Sequence, residues 1–180
     1  MKSNLIKITA IVILVFFFKG CKKDHIISDR QQIFFQYNYI NPAHGFQHYG
    51  FLIDNKGNVL TYNNPEEWNY HDKFFILTEN QVTENINKCE LSGEKIPKEE
   101  LHKYVNYIRN ISSSKVSARR NVAKDTGTTE FICFQFSENT GAYEGHLIKM
   151  EGDFTCENLN FFSKRIAAWM RDIENNINSK

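Results

Sequence analysis

The sequence predicts an α+β domain: an antiparallel sheet of about five strands with three helices packed on one face, in the order βββααββα. Three observations carry that expectation. Stretches in which apolar residues alternate with polar ones fall in neighbouring pairs joined by turn residues. Stretches of helical period form separate blocks. The two kinds are segregated rather than strictly alternating, which favours hairpins covered by helices over a parallel sheet built from crossover units.

The elements follow in order. Ile33, Phe35, Tyr37 and Tyr39 alternate with mostly polar neighbours and predict a half-buried strand. Tyr49, Phe51 and Ile53 repeat the pattern, Asp54-Asn55-Lys56-Gly57-Asn58 supplies the turn, and Val59 to Tyr62 returns as a third strand. Pro65 to Lys73 reads as an irregular aromatic loop. Thr78 and Gln81 then form a capping box, with Leu77 and Val82 as its hydrophobic staple. The helix they open carries Val82, Ile86 and Cys89 on its apolar face and stops at Ser92-Gly93. A second helix starts at Pro97 with Glu99 and Glu100 in its first turn, where the dipole favours acids, and buries Leu101, Tyr104, Val105 and Ile108. Residues 112–128 show no clear period, although Val116 and Val122 mark a candidate short strand. Glu130 to Ser137 and Tyr143 to Glu151 form a hairpin, and a long amphipathic helix with Leu159, Phe162, Ile166, Trp169 and Ile173 on one side closes the chain.

Ahead of this domain, the first twenty residues have the three parts of an export signal. Lys2 and Lys7 make a positive start, Ile8 to Phe18 is an uncharged apolar run, and Gly20 precedes Cys21. The run is well short of the about 20 residues a bilayer span needs. A small residue before a cysteine at the end of such a run resembles the lipobox of bacterial lipoproteins, although Phe18 and Lys19 stand where Leu and then Ala or Ser are usual. The resemblance implies diacylglyceryl transfer to the Cys21 thiol, cleavage before it and acylation of the new amine. Two or three acyl chains anchor durably where one does not. It divides the chain into a signal peptide (1–20), a lipid-anchored tether (21–30) and one globular domain (31–180). With the small α+β domain behind it, the chain resembles uncharacterised Bacteroidota-type outer-membrane lipoproteins. The expected place is therefore the cell envelope, at the outer membrane, and the expected partner of Cys21 is the membrane itself. The resemblance brings no catalytic residues with it.

Cleavage before Cys21 removes Lys2, Lys7 and Lys19 from the 22 basic residues and none of the 21 acidic ones, leaving a formal charge of −2. That balance offers no electrostatic footprint for nucleic acid. Fifteen Phe, eight Tyr and two Trp furnish a core without a disulfide framework. Cys89, Cys133 and Cys156 allow one bridge with a free thiol or three buried thiols; one bridge involving Cys156 is the expectation. Their spacing excludes a CxxC redox motif and a paired-cysteine zinc site.

Few residues suggest chemistry. His44 and His48 have a metal-binding spacing, but Pro42 and Gly45 place them in a turn with no acidic third ligand nearby, so no metal or other cofactor is expected. His71 and His146 could act as general bases beside a nucleophile, yet no Gly-x-Ser-x-Gly or Ser-x-x-Lys motif supplies one, and Cys133 in Phe-Ile-Cys-Phe reads as a small buried hydrophobe. Asp125-Thr126-Gly127-Thr128 reads as a turn. Two surfaces remain as binding candidates. Trp68 and Tyr70 lie among Asn, Asp and His, which suits a sugar or protein partner. Arg119 and Arg120 lie with Lys115 and Lys124 in the long loop, which suits an acidic one. The expectation is thus a lipid-anchored, non-catalytic binding domain with a protein or glycan partner. A small hydrolase centred on a histidine is the alternative.

Overall fold

The computed structural model describes residues 30–43 and 45–179. Cys21, the expected signal peptide and the tether up to residue 29 lie outside the described residues, as do His44 and Lys180. The described elements are β1 (Ile33–Asn41), β2 (Gln47–Asp54), β3 (Asn58–Asn63), β4 (Ile76–Thr78), α1 (Glu79–Asn87), β5 (Glu90–Lys95), α2 (Lys98–Ser112), β6 (Arg120–Asn121), β7 (Thr128–Ser137), β8 (Ala142–Gly152), β9 (Phe154–Glu157) and α3 (Ser163–Asn178). No helix among the described residues is long and apolar enough to cross a membrane.

The sheet corrects the expected architecture. It has nine strands rather than about five, every pair is antiparallel, and the order is β5-β3-β2-β1-β7-β8-β9-β6, with β4 on β8 beside this path. The expected strands are its centre. The additions are short border strands: β4 and β9 share one edge of β8, β5 continues from α1, and β6 lies on β9. β4, β6 and β9 hold two to four residues, too few to display a period, and the six of β5 are mostly polar, so pairing rather than pattern makes them strands.

The helices also do not share one face. Phe35, Tyr37, Phe51, Phe131 and Cys133 point into a core with Leu101, Val105 and Ile108 of α2 and Ile166, Trp169 and Met170 of α3. Leu52, Leu60, Tyr62, Ile132 and Phe134 point the other way, into a second core with Trp68 and with Val82 of α1. The sequence carries the reason in Ile33-Phe34-Phe35 and Phe131-Ile132-Cys133-Phe134: runs of consecutive apolar residues mark strands buried on both faces.

Local chemistry sets the ends. Asp54 Oδ1 accepts the Lys56 and Asn58 N–H groups at 2.9 and 2.7 Å, and Gly57 takes φ 80° to close the β2–β3 turn. The capping box of α1 is present, with Gln81 N–H donating to Thr78 Oγ1 at 3.2 Å and Thr78 N–H to Gln81 Oε1 at 2.8 Å. That helix ends at Asn87, short of Ser92-Gly93, because the chain turns at once into β5. Helix α3 opens at Ser163 rather than Leu159. Asn158 and Asn160 accept the Asn160 and Phe162 N–H groups on their side-chain oxygens, which holds 158–162 as a turn.

All three described cysteines are free, so the bridge expected at Cys156 is absent. Cys133 faces the helical core and Cys156 the opposite one, with the sheet between them.

Candidate functional site

On the face away from α2 and α3, one row of cross-strand partners runs Asn38, Glu130, Met150 and Cys156. The loop 64–75 lies over the Asn38 end of this face. It is held by reciprocal bonds between Asn69 and Asn85 (Asn69 N–H to Asn85 Oδ1 at 2.9 Å, Asn85 Nδ2 to Asn69 O at 2.8 Å) and by Asp72, whose carboxylate accepts the Phe74 and Ile76 N–H groups. Asn64, Glu67 and Phe75 all take positive φ in this stretch, and 61° is costly for a residue as bulky as Phe75. Such conformations persist where the surroundings over-determine them.

Beneath the loop the polar groups form a continuous chain. Asn38 Nδ2 donates to Glu130 at 3.2 Å, which turns Asn38 Oδ1 towards His48 Nε2 at 2.9 Å and the Tyr62 hydroxyl at 2.9 Å. Tyr70 Oη lies 3.3 Å from His48 Nδ1. His48 is fully buried among the Tyr62, Trp68 and Tyr70 rings, and burial pushes its pKa down to about 4. It is therefore neutral, with its proton on Nε2 facing Asn38. Gly50 is required here, since a Cβ would fall 2.0 Å from the Tyr37 carbonyl and 2.7 Å from the Tyr62 hydroxyl.

At the far end of the chain, His71 Nε2 lies 3.5 Å from Glu130 Oε2 and His71 Nδ1 2.9 Å from the Asp72 carbonyl. Burial alone would lower the His71 pKa, but Glu130 and Asp72 outweigh it and hold it raised. Burial would likewise raise the Glu130 carboxyl; His71, Asn38 and the Arg119 charge outweigh that and hold it lowered. Both His71 nitrogens face acceptors, an arrangement that favours the protonated ring and ties it to Glu130 and to the loop backbone. His146 Nε2 lies 3.0 Å from Gln135 Oε1, and burial lowers its pKa. The thiols are equally unsuited to attack: burial pushes Cys89 up to about 12, Cys133 higher still, and Cys156 up despite Arg119. Among the described residues no group of three or more His, Cys, Asp or Glu could hold a metal.

The residues singled out from sequence fall in different places. Trp68 is 8% exposed, its ring 4.2 Å from that of Tyr62, so it packs the loop down. Tyr70 is 48% exposed and caps the polar chain. Arg119 lies over the Phe154 ring at 3.8 Å, and Arg120 is exposed on β6. These two arginines sit at the β6–β9 border, beyond the Cys156 end of the cross-strand row that starts at Asn38, and the Arg119 charge reaches Glu130 within that row.

The structure also shows a groove that sequence reading passed over. On the helical face, the last turns of α3 leave β2 and β3 partly uncovered and enclose about 440 Å³, within the range of small-ligand sites. Tyr37, Tyr49 and Asn63 line it from the sheet, and Glu174, Ile177 and Asn178 from the helix. Tyr49 is 37% exposed and packs its ring 4.6 Å from Tyr39, while Tyr37 stacks on Phe51 at 5.3 Å. The one signal for it in sequence is the tyrosine run at 37, 39 and 49, which reads equally well as strand.

No protein-family model matches the chain, no curated protein is similar to it, and no solved structure matches its fold.

Proposed function

We propose that this chain is a lipid-anchored protein of the bacterial cell envelope, tethered at the outer membrane through acyl chains on Cys21, and that its domain binds a protein or glycan partner without catalysis. The observation that supports binding is the tyrosine-lined groove between β2, β3 and the end of α3. It offers ring faces, a carboxylate and side-chain amides, with no histidine, cysteine or serine among its lining residues. Tyr70 and Arg120 are outlying contacts on other surfaces. The anchor rests on the tripartite leader and the Gly20-Cys21 junction.

The test has two arms. An alkyne fatty acid fed to expressing bacteria is expected to label the chain, and Cys21→Ala to abolish both the label and sedimentation with membranes. Capture from solubilised envelopes is expected to fall on Tyr49→Ala and to be reduced less by Arg120→Glu or Tyr70→Ala. An unlabelled chain refutes the anchor; capture unaffected by all three changes refutes the binding surfaces.

The His71–Glu130 contact at 3.5 Å favours a second reading, a small envelope hydrolase. It stands lower because both His71 nitrogens already face acceptors and every described thiol is pushed up by burial, which leaves no activated nucleophile beside the pair. Ester or amide hydrolysis lost on both His71→Ala and Glu130→Gln, in variants with unchanged melts, would reverse that order.

A further inference from the structure

We propose that the groove at the end of α3 is a site for an alkylammonium group, of the kind a lysine side chain carries. This rests on the binding reading above and names the chemistry of its ligand. Three independent features make the groove electronegative. Glu174 brings the only formal charge among its lining residues, which include no Lys or Arg. Its nearest cationic neighbour along the helix, Arg171, pairs with Glu151 and lies over the Phe131 ring at 5.3 Å; its charge reaches Tyr37 but counts for less there than that of Glu174. Glu174 itself accepts a hydrogen bond from Asn178 Nδ2 at 2.7 Å, which fixes the carboxylate at the mouth.

The second feature is the aromatic wall. Tyr37 and Tyr49 are both close enough to Glu174 for its charge to help hold their hydroxyls protonated, on top of burial. Neutral tyrosine rings present negative π-faces, and a cation over such a face gains further when a carboxylate stands beside it. The third is the helix end. The groove is bounded by the last turn of α3, whose carbonyls carry the partial negative end of the dipole, and no basic residue in that turn offsets it. Ile177 and the Phe51 ring supply apolar wall for a methylene stem. An amino sugar carries hydroxyls around its whole ring, some of which would face Ile177 unpaired, whereas a methylene stem carries none, which favours a lysine-like ligand.

The probes are Nα-acetyl-lysine methylamide, its Nε-acetylated and therefore neutral counterpart, and glucosamine, titrated by calorimetry into the full chain in detergent. The lysine probe is expected to bind about tenfold or more tightly than the neutral counterpart, the scale of a cation over an aromatic face beside an anion. Glu174→Gln and Tyr49→Ala are each expected to weaken it about tenfold, and Tyr49→Phe to leave it nearly unchanged, with all three variants melting as the parent does. Equal binding of charged and neutral probes, tighter binding of glucosamine, or no binding by any probe would overturn the assignment. Envelope capture that depends on Tyr49 but survives Glu174→Gln would overturn it too, and would leave the binding reading standing.

Discussion

The face of the sheet under α2 and α3 buries Phe35, Phe131, Ile166, Trp169 and Met170 against one another, whereas the face under the 64–75 loop buries Gln36, Asn38 and His48 among its aromatic rings. The first is held by contact area and close packing, terms with little dependence on pH. The second is held by a hydrogen-bonded chain in which every member needs its neighbour, and a partly satisfied network of this kind is worse than an apolar one. One strand serves both: in β2, Tyr49 and Phe51 look towards the helices while His48 and Gly50 look towards the loop. The sheet is thus a partition between a rigid support and a tunable surface, and three measurements can break that distinction or sharpen it.

The largest expected effect is on the helical face. Ile166 is fully buried, so Ile166→Asp puts an unpaired carboxylate into the apolar core and should cost more than about 4 kcal/mol, abolishing the cooperative melt. A surviving cooperative transition would mean that α3 is not integral to the fold. Next is Trp68→Ala, expected to cost about 3 kcal/mol by leaving a cavity beside Tyr62 and His48. Hydrogen exchange should then quicken in residues 64–75 while α2 and α3 keep their protection. Equal loss on both faces would show that the loop is not a separate unit.

The smallest effect is the pH dependence. The folded pKa of His48 is about 4, below the unfolded value of 6.5, so between these limits the unfolded chain binds the extra proton. Stability from a neutral His48 is complete above pH 6.5 and falls as pH drops, by about 3 kcal/mol once pH reaches 4. The other two titrating members have different windows. His71, raised, stabilises fully below its unfolded pKa and loses this as pH rises through its folded value. Glu130, lowered, stabilises above its unfolded pKa and loses this as pH falls through its folded value. Urea melts of the parent and His48→Gln should therefore diverge from pH 6.5 downwards, the parent losing more. Parallel curves would show that His48 does not titrate on unfolding.

The central strands, the capping box at Thr78 and the α2 and α3 faces were all readable from periodicity, because each spans two or more repeats. The border strands were not. Arg120-Asn121 and Ile76-Leu77-Thr78 hold too few residues to show a period, and their strand character comes from β9 and β8. The second face was signalled by Phe131-Ile132-Cys133-Phe134, where consecutive rather than alternating apolar residues mark a strand buried on both sides. The polar chain was beyond reach for a different reason. Asn38, His48, Tyr70, His71 and Glu130 come from β1, β2, a loop and β7, and only the strand register brings them together. The groove depends on where α3 stops relative to β3, a matter of crossing geometry rather than composition.

The short border strands bear on how such a domain survives crowding. An exposed strand edge is a template on which another chain can pair, the usual route to fibrils and insoluble assemblies. Here one edge is β5, charged by Glu90, Glu94 and Lys95 and interrupted by Gly93 at φ 82°. The other is β6, only two residues long and carrying Arg120. Neither edge is long, flat and apolar enough to recruit a neighbour. Copies of such a domain held at high local concentration would meet edge to edge often, and these blunt margins give them little backbone to pair on.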